Sequence, residues 1–205
     1  MFLVCLDIMR TIKTFNYFLN KNMEISQAIK ERRTIHLFSK KRVPEDVIER
    51  SIIAANQAPC HRMTFPWRFT SLGIHKRELL CKLQVSLKFG DKSIDEVDLK
   101  RINDKILIPS HLIVASQVCT DNPHQKLEDY AACACAIHNL SLSLASDGVG
   151  YKWSTGKIIT DPNTYQISEI DPIEESIIGF IWIGYGTKPP SIKRPLINMI
   201  YREKD

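Results

Sequence analysis

The run from Glu175 to Gly186, ESIIGFIWIGYG, carries six large apolar side chains between Ile177 and Ile183, interrupted only by Gly179. A strand that faced water on one side would alternate apolar and polar residues. A nearly continuous apolar run of this length reads instead as a strand covered on both faces. The chain must therefore supply a layer on each side of one sheet. SHLIVASQV, Ser110–Val118, is a second strand of the same kind, and PWRFTSLG, closed by Gly73, and GYKWSTG, with its turn, are two more.

The covering layers are legible as helices. MEISQAIKERR, from Met23, sets Ile25, Ala28 and Ile29 at helical spacing behind Asn22 as N-cap, and it delivers Arg32 and Arg33 near its end. In VPEDVIERSIIAANQAP, Pro44 suits the first helical position and Glu45 and Asp46 complement the dipole. Ile48, Ile52 and Ala55 form the buried stripe, and the helix ends before Pro59. The polar, Lys-rich stretch from Lys76 to Lys105 reads as helical and exposed. LEDYAACACAIHNLSLSLASDGVG reads as one long helix ended by Gly148, whose Ala, Ser and Cys content admits a second backbone at close range. That composition suits a central or interface helix. Asp161-Pro162 opens a short helix, and the tail KPPSIKRPLINMIYREKD reads as basic and extended.

A chain of 205 residues, 44% hydrophobic and 25% charged, is enough for one globular domain. Its net charge of +5 is spread along the chain. Without a cationic block and adjacent stacking residues it does not point to nucleic acid, whereas two or three of its cations suffice for a small phosphorylated ligand. No apolar run approaches the roughly 20 residues that span a bilayer, so no membrane is implied. The six cysteines, at 5, 60, 81, 119, 133 and 135, form no CxxC pair, which fits reduced thiols and a cytoplasmic location. Residues 1–22 are basic and apolar without the order of a secretory signal. They are expected to form an N-terminal extension of uncertain role, with a mitochondrial-type presequence and a start at Met23 both open; residues 23–205 form the domain.

Four segments carry candidate chemistry. Cys60–His61 has the residue types of a nucleophile and its base, but adjacent side chains usually diverge and no orienting third group is evident. Cys133, Cys135 and His138 have the types of metal ligands, yet on a helix only Cys135 and His138 share a face, too few for a closed zinc site. Arg32-Arg33-Thr34 offers two guanidinium forks and a hydroxyl suited to a terminal phosphate, or simply a solvated basic helix end. Lys152-Trp153-Ser154-Thr155-Gly156 could hydrogen-bond a flat heterocycle, or be a core Trp and a turn.

The order of these segments resembles the nitroreductase family of FMN-dependent oxidoreductases. ERRTIHLF resembles its opening Arg-Arg-Ser segment, VPEDVIERSIIAANQAPCHRMTFPWRF its helix, Ala-Pro loop and Pro-Trp strand, and GVGYKWSTG with IIGFIWIGYG its Gly-rich turn and closing strand. The small, minimal members are the most similar. The resemblance implies an α+β fold, a central mixed β-sheet flanked by helices, and an intertwined homodimer with FMN at the interface. It assigns Arg32, Arg33 and Thr34 to the FMN phosphate and ribityl oxygens, Gln57 and His61 to a loop reaching the flavin from the partner subunit, and Trp153, Ser154 and Thr155 to the flavin itself. Arg194 resembles a second phosphate-binding Arg. It implies hydride passing from NADH or NADPH through flavin N5 to an electron-poor small-molecule acceptor such as a nitroaromatic or quinone, with no side chain needed as catalytic acid or base and no metal. Three positions depart from the pattern: Cys60 for an acidic or small residue, Phe65 for Gln before Pro-Trp, and Ser154 for Arg after Trp. The last removes a cation that would favour reduced flavin, for which Lys152 or Arg62 could compensate. These departures keep open a flavin-binding or sensing protein with little turnover, while a Cys60-dependent hydrolase is the remaining alternative.

Overall fold

The computed structural model describes residues 23–187 and 190–204. The expected extension, residues 1–22, and Asn22 with it lie outside the described residues. The fold is α+β. In chain order the elements are α1 (Ile25–Glu31), α2 (Glu45–Ala55), β1 (Trp67–Ser71), α3 (Ile74–Phe89), α4 (Glu96–Leu107), β2 (His111–Val118), α5 (Pro123–Ser146), β3 (Gly150–Ser154), α6 (Pro162–Ser168), β4 (Glu175–Gly184) and α7 (Ile197–Ile200).

The strands form one sheet in the order β1-β2-β4-β3, with all three pairings antiparallel. Among the described residues, the parallel component of the expected mixed sheet is a single bridge between Thr34 and Tyr151. β4 is central and buried from Ile177 to Gly184, as its apolar run requires. Its odd-numbered side chains Ile181 and Ile183 pack with residues of α2 and α5, while Phe180 and Trp182 pack with α3 and α4 on the other face.

The register of β4 breaks once. Ala115 pairs with Gly179 and Ser116 with Ile177, so Ile178 bulges between them. Trp153 of β3 lies on this bulge and donates its indole N–H to the Ile178 carbonyl at 3.3 Å. Gly179, at φ +159°, leaves the room: a Cβ there would stand 2.1 Å from Trp153 Nε1.

Helix boundaries follow the sequence with local corrections. α1 has Glu24 at its N-cap position, and only Ala28 of its expected stripe is buried; Ile25 and Ile29 face outward. Pro44 is the N-cap of α2 and precedes its first turn. α5 starts four residues earlier than the Leu127 expected from sequence, behind Asn122, whose side chain accepts from the His124 and Gln125 amides. Gly148, at φ +69°, ends it as expected. The tail contains one helical turn, α7, where extended chain was expected.

One buried cation ties the α3/α4 layer to the sheet. Arg77 of α3 donates to the carbonyls of Ile106 (2.9 Å) and Pro109 (2.7 Å), with a longer contact to Ser110 (3.4 Å). Burial, with Arg42 nearby, pushes its pKa down to about 10. Gly179→Ala is expected to lower stability by about 1–3 kcal/mol, because the added methyl must displace the Trp153 ring. Urea unfolding followed by tryptophan fluorescence checks this, and an unchanged midpoint would mean that the ring moves without cost.

Candidate functional site

β3 is an edge strand, and several of the candidate residues lie on or beside it. The segment leaving α1 runs beside its start, where the Ile35 amide donates to the Tyr151 carbonyl at 2.9 Å. This places Arg32 over Tyr151: its guanidinium carbon is 5.6 Å from the ring centroid and its Nη1 donates to the Tyr151 hydroxyl at 2.9 Å. Arg33 turns back to the carbonyls of Lys30 (2.5 Å) and Arg32 (2.8 Å). The two arginines line a hollow of about 210 Å³ with Gly148, Val149 and Gly150. Its donors suit an anionic group.

At the other end of β3, Ser154, Thr155 and Gly156 line a cavity of about 290 Å³ whose walls include Gln84 of α3, Lys105 of α4 and Trp182 of β4. Trp182 is buried and donates its indole N–H to Ser154 Oγ at 2.7 Å. Phe180 meets Trp182 edge to face, with centroids 5.9 Å apart. The wall is therefore aromatic, with hydroxyl and backbone groups at its rim. Gly156 adopts φ +138°, and a side chain there would project into open space.

Between these stations Lys152 faces α4. It lines a third hollow, about 470 Å³, with His36, Phe38, Arg101, Asp104 and Lys105, and Lys105 borders the Ser154 cavity as well. Burial, followed by the charge of Lys105, lowers the Lys152 pKa.

The remaining candidates lie elsewhere on the protomer. Gln57 is exposed just past α2. His61 is exposed in a short 3₁₀ turn, with Nε2 3.8 Å from Glu128 of α5. Arg194 is exposed in the tail. The loop holding His61 is strained: Arg62, Met63 and Phe65 all have positive φ, between 44° and 57°. It is anchored where Thr64 donates to the buried Asp129 of α5 at 2.6 Å.

Cys60 Sγ accepts from the Phe65 amide at 3.2 Å and meets Thr64 Oγ1 at 3.3 Å, so its sulfur is engaged in holding the loop. His61 is directed to Glu128, and the two side chains form no dyad. Cys133 is buried, its thiol pushed up to about 12 mainly by desolvation, while Cys135 and His138 are exposed.

The family model of the Nitroreductase family matches residues 29–185, which include Arg32, Gln57, His61 and Thr155. The chain belongs to the nitroreductase family. YfhC of Bacillus subtilis (strain 168), whose name provisionally describes an NAD(P)H nitroreductase, is 28% identical over 179 residues, covering 86% of this chain and 91% of its own. Among solved structures, a nitroreductase-like family protein from Bacillus cereus superposes with a TM-score of 0.75 at 26% identity, over 89% of this chain and 97% of that one. A nitroreductase with bound FMN from Bacteroides fragilis NCTC 9343 gives 0.68 at 23% identity, over 89% and 100%.

In this member of the nitroreductase family, sequence reasoning missed Gln84 and Lys105. Both come from the Lys-rich stretch that reads as an exposed helix, and periodicity alone does not tell which of its residues turn toward β3. Ser154→Ala is expected to cost about 1–3 kcal/mol, since it leaves the buried Trp182 indole N–H without its acceptor. Thermal unfolding measures it, and no loss would mean that another acceptor replaces Ser154.

Proposed function

We propose that this protein is an FMN-dependent NAD(P)H oxidoreductase acting on an electron-poor acceptor such as a nitroaromatic or quinone. The observation that carries this reading is the sequence of donors along β3. Guanidinium groups gather at its start, where Arg32 overlies Tyr151, and hydroxyl, backbone and aromatic groups at its end, from Ser154 to Gly156. Tyr151 and Thr155 are about 13 Å apart at the rise of an extended strand. Tyr151 packs on the α2/α5 side of the sheet and Ser154 meets Trp182 on the α3/α4 side. A ligand that uses both ends would therefore run along the edge of β3, with a phosphate at one end, a flat ring at the other and a hydroxylated chain between them. The open space beside Gly156 leaves the backbone accessible to such a ring.

In this reading Arg32, Arg33 and Thr34 hold the phosphate and ribityl oxygens, with Arg194 as a further cation, and Trp153, Ser154 and Thr155 position the ring. Trp153 acts through its seat on the β4 bulge, which holds the β3 end in register. When bound, FMN supplies the two-electron chemistry, accepting hydride from a reduced nicotinamide and passing it to the acceptor. The chain's part is to bind and orient, and no side chain is assigned as acid or base.

The protein is further proposed to be a homodimer in which Gln57 and His61 reach the flavin of the partner subunit. Supporting this, Ile25 and Ile29 of α1, Met63 and Phe65 of the strained loop, and Leu127 and Tyr130 of α5 are all exposed. Apolar groups on three neighbouring elements are the composition of an interface more than of a solvated surface. A second reading, a flavin-binding protein with little turnover, is favoured by one feature: the Ser154 hydroxyl is already engaged by Trp182 and carries no charge.

An absorption spectrum of the purified protein, repeated after anaerobic addition of NADH and then NADPH, separates these readings. A flavin spectrum that bleaches with either donor is expected. A flavin that stays oxidised would support the low-turnover reading, and a colourless protein that FMN does not restore would overturn both. Arg32→Ala is expected to weaken FMN binding by about 1.5–3 kcal/mol, the range of a hydrogen bond to a charged group. Flavin retention by a variant of unaltered circular dichroism checks it, and full retention would remove Arg32 from the phosphate site.

A further inference from the structure

Around the hollow beside β3, two of the four Lys and Arg side chains are already matched. Lys100 pairs with Asp104 at 2.5 Å and Arg101 with Asp98 at 3.0 Å. Among the described residues, Lys105 and Lys152 have no acidic partner, and they face each other across the hollow. An edge-strand lysine ordinarily turns its ammonium to solvent, where it blunts strand pairing. Lys152 is instead half-buried and shares a strand face with Ser154, two residues on. Two unmatched ammonium groups brought toward one another disfavour each other's charge, and only an anion between or beside them reverses that cost.

We propose that Lys152 is the cation that stabilises negative charge on the reduced flavin in this protein, standing in for the charge that Ser154 does not carry. The inference rests on the FMN reading above. Hydride brings two electrons and one proton, so the bound ring gains one unit of negative charge while the nicotinamide leaves one unit more positive. Lys152 lies two strand residues, about 7 Å, from the Ser154 position. A four-carbon stem covers that span and leaves the ammonium free to turn toward the ring. Lys105, bordering both the Lys152 hollow and the Ser154 cavity, adds to the same positive potential. A partly desolvated site makes such a charge count for more than it would in water.

The test is the midpoint potential of bound FMN, measured by dye-coupled anaerobic reduction in the wild type and in Lys152→Met and Lys152→Arg, together with the dissociation constant of oxidised FMN. Lys152→Met is expected to weaken the hold on reduced relative to oxidised flavin about tenfold, a shift of about 30 mV to more negative potential. Oxidised FMN should bind within a few-fold of the wild type, and Lys152→Arg should restore the potential. If the Met variant does not fold, Lys152→Gln gives the same comparison. An unchanged potential with FMN bound would overturn the inference and leave the FMN reading intact, as would a variant that only raised KM for an anionic acceptor. A wild type that takes up no FMN would overturn the FMN reading itself, and this inference with it.

Discussion

The structure depends on a strand that has no wet face. β4 is flanked by β2 and β3 and buried along most of its length, so each of its faces requires its own layer of helices. α2 and α5 meet one face, and α3, α4 and α6 meet the other. With both faces of the centre occupied, open backbone and shallow cavities are left at the sheet's edge. β3 is one of the two edges, and its seat against the centre is set by the bulge at Ile178 and the missing Cβ of Gly179.

The edge presents two kinds of positive charge. At the start of β3 the charge is held by arginine, whose planar fork suits the oxygens of a phosphate. Farther along it is held by lysine, a compact charge on a flexible stem that responds strongly to its surroundings. Arg32 and Arg33 are engaged with Tyr151 and backbone carbonyls, which fixes their direction. Lys105 and Lys152 have no such anchors among the described residues. In the proposed FMN reading, this difference matches a permanently charged phosphate at one end and a ring whose charge changes on reduction at the other.

Much of the fold was legible because it follows from local rules. The continuous apolar runs of β2 and β4, the small-residue helix α5 and its stop at Gly148 each appear in the letters as a period or a backbone requirement. The outward face of α1 was not legible, since Ile25, Ala28 and Ile29 look alike in sequence whether the covering layer belongs to the same protomer or to another chain. The left-handed backbone at Arg62, Met63 and Phe65 was also hidden, because no glycine announces it; the tertiary tie from Thr64 to Asp129 accompanies it instead. At the candidate site, Arg32 and Ser154 stood out through the order of motifs. Lys105 did not, because it reaches the cavity from a helix some fifty residues earlier, and that meeting is a property of packing.

The Arg77 clamp gives this packing a dynamic meaning. A single guanidinium in the α3/α4 layer holds carbonyls at both ends of the turn that joins α4 to β2, and Lys105 immediately precedes the first of them. The backbone under Lys105 is thereby braced from behind. When charge appears at the mouth of the cavity, the lysine head can reorient while its base stays in place. In the proposed oxidoreductase reading, the response to charge at this wall is carried by a side chain and not by movement of the backbone that bears it.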